Sequence, residues 1–239
     1  MTRLLQNVFC ATGKGGGVDS SCSPGKEERG QIPVSLGEDS SWPGVKRACQ
    51  HVFGRELRQH EFAQLCGVRP QDLSGEHRRV EVSNRASLGS GSQILTVSVK
   101  SKNVEMTCSF RKEYGKGVCD DESIHVDPPG TGLGRDIWAR HVDELTRRKF
   151  DRIELTAGKG PTMNGYYTWP RLGCDMEVTR AFLRSGGKSD SIKFDKAGHW
   201  EPGEYKLLGV DHLSDLMKTE AGRKWWKKHG FQADMEFDL

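Results

Sequence analysis

Apolar and polar residues alternate at every second position over 79–83, 93–100 and 104–110, a period that predicts strands with one buried face. Ser101-Lys-Asn103 lies between the last two as a hairpin turn. A polar gap at 112–116 follows, and Glu122-Ser-Ile-His-Val126 supplies a fourth strand, so this part reads as an antiparallel meander. Upstream, over 43–68, the spacing becomes helical. Val45, Cys49, Val52 and Phe53 fall near one face, Leu57, Phe62 and Leu65 on a second, and Gly54 and Gly67 punctuate two short helices. After the meander, Ile137, Trp138, Val142 and Leu145 recur at helical intervals across about 132–149. Arg147, Arg148 and Lys149 then crowd the C-terminal turn, where cations suit the helix dipole. Asp151-Arg-Ile-Glu-Leu-Thr-Ala157 is a further strand.

Between the fourth strand and the long helix stands Asp127-Pro-Pro-Gly-Thr-Gly-Leu-Gly-Arg-Asp136. Amides from Gly130 to Gly134 can converge on one anion there, and the missing side chains admit close approach. The same glycines equally suit a purely structural turn. The letters do not make an ATPase phosphate loop, because the lysine and the magnesium-binding hydroxyl are absent. Ala11-Thr-Gly-Lys-Gly15 fails the same test, since Gly15 stands where Ser or Thr is required. Strand, glycine turn, helix and strand at these lengths form a right-handed crossover joining parallel strands, with the turn at the carboxyl end of the first.

Toward the C-terminus, Asp211 and Thr219 read as helix caps and Leu213, Leu216 and Met217 as an apolar stripe. Gly222 to Gly230 reads as a glycine-terminated helix, and 233–239 as a closing strand. Of Trp225 and Trp226, one is expected on the sheet while the neighbouring lysines stay solvated.

Composition narrows the classes. The net charge of +3, from 36 basic and 33 acidic residues intermixed, gives no concentrated basic face, so nucleic acid is not an expected partner. No apolar run reaches the ~18 residues of a membrane span, and the N-terminus shows no signal-like apolar region. A cytoplasmic protein is expected. The seven cysteines contain no C-x-x-C pair, which argues for reduced thiols serving as small hydrophobes; no metal site is expected. Residues 1–42 read as a flexible Gly/Ser-rich tail, 43–75 as a short helical segment and 76–239 as the main domain, with a polar insertion at about 184–205.

Gly132-x-Gly134 at a strand-to-helix turn, followed downstream by Asn164-Gly-Tyr-Tyr-Thr-Trp-Pro-Arg-Leu-Gly-Cys174, resembles the GNAT (GCN5-related) N-acetyltransferase superfamily across roughly 78–174. The resemblance implies an α+β fold: a mixed, mostly antiparallel central sheet with a parallel splayed strand pair, flanked by helices. It implies acetyl-CoA as cosubstrate and an amine acceptor on a small molecule or protein. The cofactor would meet Ile124, Val126, Gly130, Thr131, Gly132, Leu133, Gly134, Arg135 and Asn164. Glu122 matches strand carboxylates that serve as base in the superfamily, and Tyr167 is the expected acid. His125 is a second base candidate on chemical grounds, because an imidazole titrates near neutrality and lies two residues before the turn. The chain departs from the superfamily pattern at Pro129, where Gln or Arg is usual, and at Trp169, where a tyrosine is usual. The alternative is a non-catalytic interaction module of the same fold, tied to a phage or mobile element, since Phe9 to Cys22 resembles N-terminal pieces of phage-related proteins. A homodimer stays open.

Overall fold

The computed structural model describes residues 32–86, 92–160, 163–177, 211–230 and 232–239. Their order is β1 (Val34–Leu36), α1 (Trp42–Phe53), α2 (Gln59–Leu65), a 3-10 turn (Pro70–Asp72), β2 (Arg79–Ala86), β3 (Gln93–Lys100), β4 (Val104–Glu113) and β5 (Lys116–Val126). There follow α3 (Leu133–Arg147), β6 (Arg152–Ala157), the short strands β7 (Lys159–Gly160) and β8 (Met163–Asn164), and α4 (Gly165–Arg171). Last come α5 (Leu213–Lys218), α6 (Glu220–His229) and β9 (Ala233–Asp238).

Seven strands make one open sheet in the order β1-β2-β3-β4-β5-β6-β9, while β7 and β8 form a separate pair. The pairs β1/β2 and β5/β6 are parallel and the rest of the main sheet is antiparallel. The fold class is therefore mixed α+β, with helices flanking a mostly antiparallel sheet. The alternation in the sequence is visible in the burial. Val80, Val82, Leu95, Val97, Val99, Met106 and Phe110 are all inside, whereas Thr96 bonds Ser109 and Ser98 bonds Thr107 on the other face.

Two expectations change. The polar gap at 112–116 is no interruption: Tyr114 and Gly115, at φ 51 and 86, turn the chain directly from β4 into β5. The strand thus begins at Lys116 rather than near Glu122, because Val118 and Cys119 supply a buried, paired start. Val34–Leu36 lies inside the segment expected to be tail, yet it pairs with Val80–Val82 as an edge strand.

The helices of 43–75 join the sheet's own core. Val45, Ala48, Cys49 and Val52 of α1 and Phe62 and Leu65 of α2 belong to the apolar cluster that also holds β2 to β6 and α3. Ser41 caps α1 by accepting from the Gly44 amide at 3.2 Å. Phe53, Phe110 and Phe150 meet with ring centroids 5.6 to 6.0 Å apart, tying α1 to the sheet and to the end of α3.

At the C-terminal end Thr219 caps α6 as expected, through the Gly222 amide at 2.9 Å. The cap expected of Asp211 comes from elsewhere: His212 occupies the N-cap position of α5, and Asp175 accepts from the Ser214 amide at 2.8 Å. Trp225 and Trp226 are both buried, where one was expected inside. The expected insertion at 184–205 and most of the expected tail lie outside the described residues.

Candidate functional site

The glycine turn is built as its composition demands. Gly130 and Gly132 sit at φ 81 and 86, where a side chain is strained, and Gly132 is the N-cap of α3. Thr131 donates to the Pro128 carbonyl at 3.3 Å, closing the turn on itself. The first amides of α3, on Gly134 and Arg135, lie in the turn that has no upstream helical acceptor. Arg135 is exposed and points to Asp136 at 3.6 Å. Ile124 and Val126 pack partly buried against the core, and Val126 lies beneath Gly134.

The strand leading to this turn is irregular at a useful place. Asp121 pairs with Cys108 and Ser123 with Thr107, so Glu122 is the extra residue of a β-bulge. The bulge reverses the alternation: Asp121 faces the core side, while Ser123 and His125 stand on the polar face with Thr107 and Glu105. His125 is accordingly exposed and on the opposite face from Asp121. Only the backbone of Glu122 is described. At the same point the parallel partner is lost. β5 pairs with β6 from Val118↔Arg152 to Asp121↔Leu155, and then runs on to Val126 without it.

A cavity of about 1100 Å³ opens at that divergence, lined by Asp120, Asp121, Glu154 and Leu155 from the last two pairs, by β9, and by Gly173 and 175–177 with His212 and Ser214. Eight of its described lining residues are Asp or Glu, and among these lining residues none is Lys or Arg. Part of that charge is answered from beside the cavity. Arg111 bonds Glu154 at 2.7 Å and also pairs with Asp120, while Arg152 bonds Glu154 and Glu113 at 2.7 Å. Burial works against ionisation of Glu154, but the two guanidiniums outweigh it and hold its carboxyl below the usual range. Glu177, Glu236 and Asp238 add further carboxylates to the wall.

One imidazole faces this acidic space. His212 Nδ1 lies 3.3 Å from Asp175 Oδ2, and the ring is 55% exposed. Asp175 is itself fixed by the Ser214 hydroxyl and amide and by the Met176 amide, all at 2.8 Å. A carboxylate that holds Nδ1 leaves Nε2 available for proton transfer. Nothing in the sequence marks this dyad, because its members come from separate parts of the chain and meet only where Asp175 bridges to Glu236 of β9 and Glu177 bridges to His212.

A second cluster lies under the cavity wall. Cys108 of β4, Cys119 and Asp121 of β5 and His141 of α3 are all buried, with their ligating atoms within 4.8 Å of one another. His141 Nδ1 donates to the Leu65 carbonyl at 2.5 Å, and Nε2 lies 3.2 Å from Asp121 Oδ1. Burial disfavours the charged ring, but Asp121 overrides it and the His141 pKa is raised. Burial pushes the Cys119 thiol up to about 12. The cysteine spacing that argued against a metal carries no information about this group, whose members are gathered from three elements.

The remaining expected residues fall around α4. Asn164 lies in β8, paired with Lys159, and only its backbone is described. Tyr167 is half-buried, with the Arg171 guanidinium 5.5 Å and the Lys227 ammonium 5.9 Å from its ring. Tyr166 donates its hydroxyl to the Lys227 carbonyl at 3.1 Å. Trp169 is buried with its ring centroid 4.9 Å from that of Trp138. Pro170 does not stop the helix, which continues to Arg171. Among the described residues no helix is long and apolar enough to cross a membrane. No protein-family model matches the chain, and no curated protein matches it.

Proposed function

We propose that the chain is an acyl-CoA-dependent N-acyltransferase of the GNAT kind, moving an acetyl group from acetyl-CoA to an amine. The observation that carries this reading is the β5–turn–α3–β6 unit, whose parallel strands part after Asp121↔Leu155 at the mouth of the acidic cavity. The Gly134 and Arg135 amides in the first turn of α3 and the dipole of a 15-residue helix suit a pyrophosphate. Beyond the divergence, the edge of β5 that faced β6 is free to pair with an extended amide-bearing arm. The carboxylates of the cavity draw in an ammonium group. His212, held by Asp175, takes the proton that the amine must lose before it attacks. This moves the base from Glu122 or His125 to a residue that lines the cavity.

The test is calorimetric titration with CoA and acetyl-CoA, comparing the native chain with Gly134→Glu. Gly134 has no left-handed φ, and an added Cβ meets only a Val126 methyl at 3.6 Å. An acidic side chain in the first helical turn also favours the helix, so lost binding would report the anion site rather than unfolding. No binding by the native chain at millimolar ligand overturns the proposal. It would favour the interaction module, which Trp169 already supports: the aromatic standing where the superfamily keeps a proton-donating tyrosine is packed against Trp138.

A further inference from the structure

We infer that Cys108, Cys119, Asp121 and His141 form a structural zinc site that fastens α3 to the sheet beneath the cavity. The four residues supply two sulfurs, one carboxylate oxygen and one imidazole nitrogen, a donor set that selects zinc among the common divalent ions.

The geometry is close to a coordination shell. Zinc bonds of ~2.0 to 2.3 Å in a tetrahedron place neighbouring donor atoms ~3.2 to 3.8 Å apart. His141 Nε2 and Asp121 Oδ1 are 3.2 Å apart, Cys119 Sγ and Asp121 Oδ1 3.6 Å, and Cys119 Sγ and His141 Nε2 3.7 Å. Cys108 completes the group within 4.8 Å of all three.

Two independent features point to a ligand at this spot. Asp121 Oδ2 is buried and has no hydrogen-bond partner, on a side chain only 2% exposed. A cation bound by this carboxylate gives the unpartnered oxygen a ligand. In addition, His141 donates Nδ1–H to the Leu65 carbonyl, which fixes the ring and turns Nε2 toward the cluster. That is the orientation in which a backbone carbonyl usually holds a metal-ligating histidine. Asp121 also lines the cavity, which gives the ion a path inward.

With four protein donors the shell is closed, so the role is structural. On binding, the Cys108 and Cys119 S–H bonds break and the proton held between His141 Nε2 and Asp121 Oδ1 is released, so that three protons leave to water, both sulfurs ligate as thiolates and Nε2 ligates through its lone pair. The ion then joins β4, β5 and α3, and through Leu65 also α2. Of those elements, β5 leads into the glycine turn, α3 leaves it, and β5 parts from β6 at Asp121.

The experiment uses the full chain purified without a polyhistidine tag or added metal. Elemental analysis should find about one zinc per chain, and chelation should lower the melting temperature. Cobalt added to the chelated protein should give the visible ligand-field bands of a tetrahedral site and a thiolate-to-cobalt charge-transfer band. Cys119→Ser and Asp121→Asn should each weaken zinc retention by at least about tenfold, while Cys49→Ser, a buried thiol on α1, leaves it unchanged. Because those variants can also unfold, the native chain decides the matter. Metal-free protein whose melting temperature zinc does not raise, and which gives no thiolate–cobalt band, overturns the inference and leaves a hydrogen-bonded network.

Discussion

Trp226 Nε1 donates to the Tyr166 carbonyl at 2.5 Å. That carbonyl is the one Pro170 deprives of a helical partner, since a proline four residues on has no N–H to give. The indole of α6 therefore repairs α4 and explains how a helix carries a proline one residue before its end. Trp226→Phe should cost about 2 to 4 kcal/mol in chemical denaturation, from an orphaned carbonyl plus lost packing. The cost should shrink in a Pro170→Ala background, which returns an amide to the helix; equal costs in both backgrounds would refute the coupling.

Gly67 should be among the least replaceable residues. It has φ 66, and a Cβ there would sit 2.2 Å from the Ile137 carbonyl oxygen and 2.6 Å from the His141 amide. Both are backbone atoms of α3, so no rotamer change relieves the clash. Gly67→Ala is expected to destabilise by more than about 3 kcal/mol. Gly115→Ala, also at positive φ but in open space, should cost only about 1 kcal/mol. Thermal denaturation of the pair checks the contrast.

Glu61 should contribute to acid stability. Arg55, bonded to it at 2.5 Å, is the main reason its pKa falls to about 2; burial opposes this, and the Arg58 amide and Arg148 assist. A depressed carboxylate pKa stabilises the fold above the unfolded-state value near ~4.3 and loses that effect as pH falls toward ~2. Glu61→Gln should therefore cost about 1 to 3 kcal/mol at pH 7, allowing for the solvent exposure of Arg55. The gap to the native chain should close between about pH 4.5 and 2. A gap independent of pH in denaturant titrations would assign the effect to packing.

On the acyltransferase reading, His212→Gln should lower kcat by about 10² to 10⁴-fold and leave CoA affinity intact. Steady-state kinetics beside calorimetry separates the two. Loss of affinity instead would make His212 a binding residue, and unchanged turnover would return the role of base to Glu122 or His125.

Much of the sheet was legible because strand period and turn chemistry are local. The alternation over β3 and β4, the 101–103 turn and the apolar stripe of α3 all depend on neighbours within a few residues. The 112–116 segment misled because Tyr114 adopts positive φ, which its side chain does not advertise. The bulge at Glu122 was also hidden, as it is a property of the pairing with β4 rather than of β5. Asp175 could not be recognised as the cap of α5, since a cap from 39 residues away leaves no trace in the local spacing.

By itself the sequence determined that β3, β4, β6, β9 and α3 form and where the 101–103 turn falls, and that glycines rather than side chains open α3. Only the tertiary structure decided that β5 and β6 part at Asp121, that the parting opens into an acidic cavity, and that His212 meets Asp175 beside it. It likewise gathered two thiols, a carboxylate and an imidazole at one buried point. The physical reason is the range of the forces involved. Backbone propensity and periodicity act over a turn or a strand, whereas charge, coordination and cavity shape depend on which distant elements the packing of the core brings together.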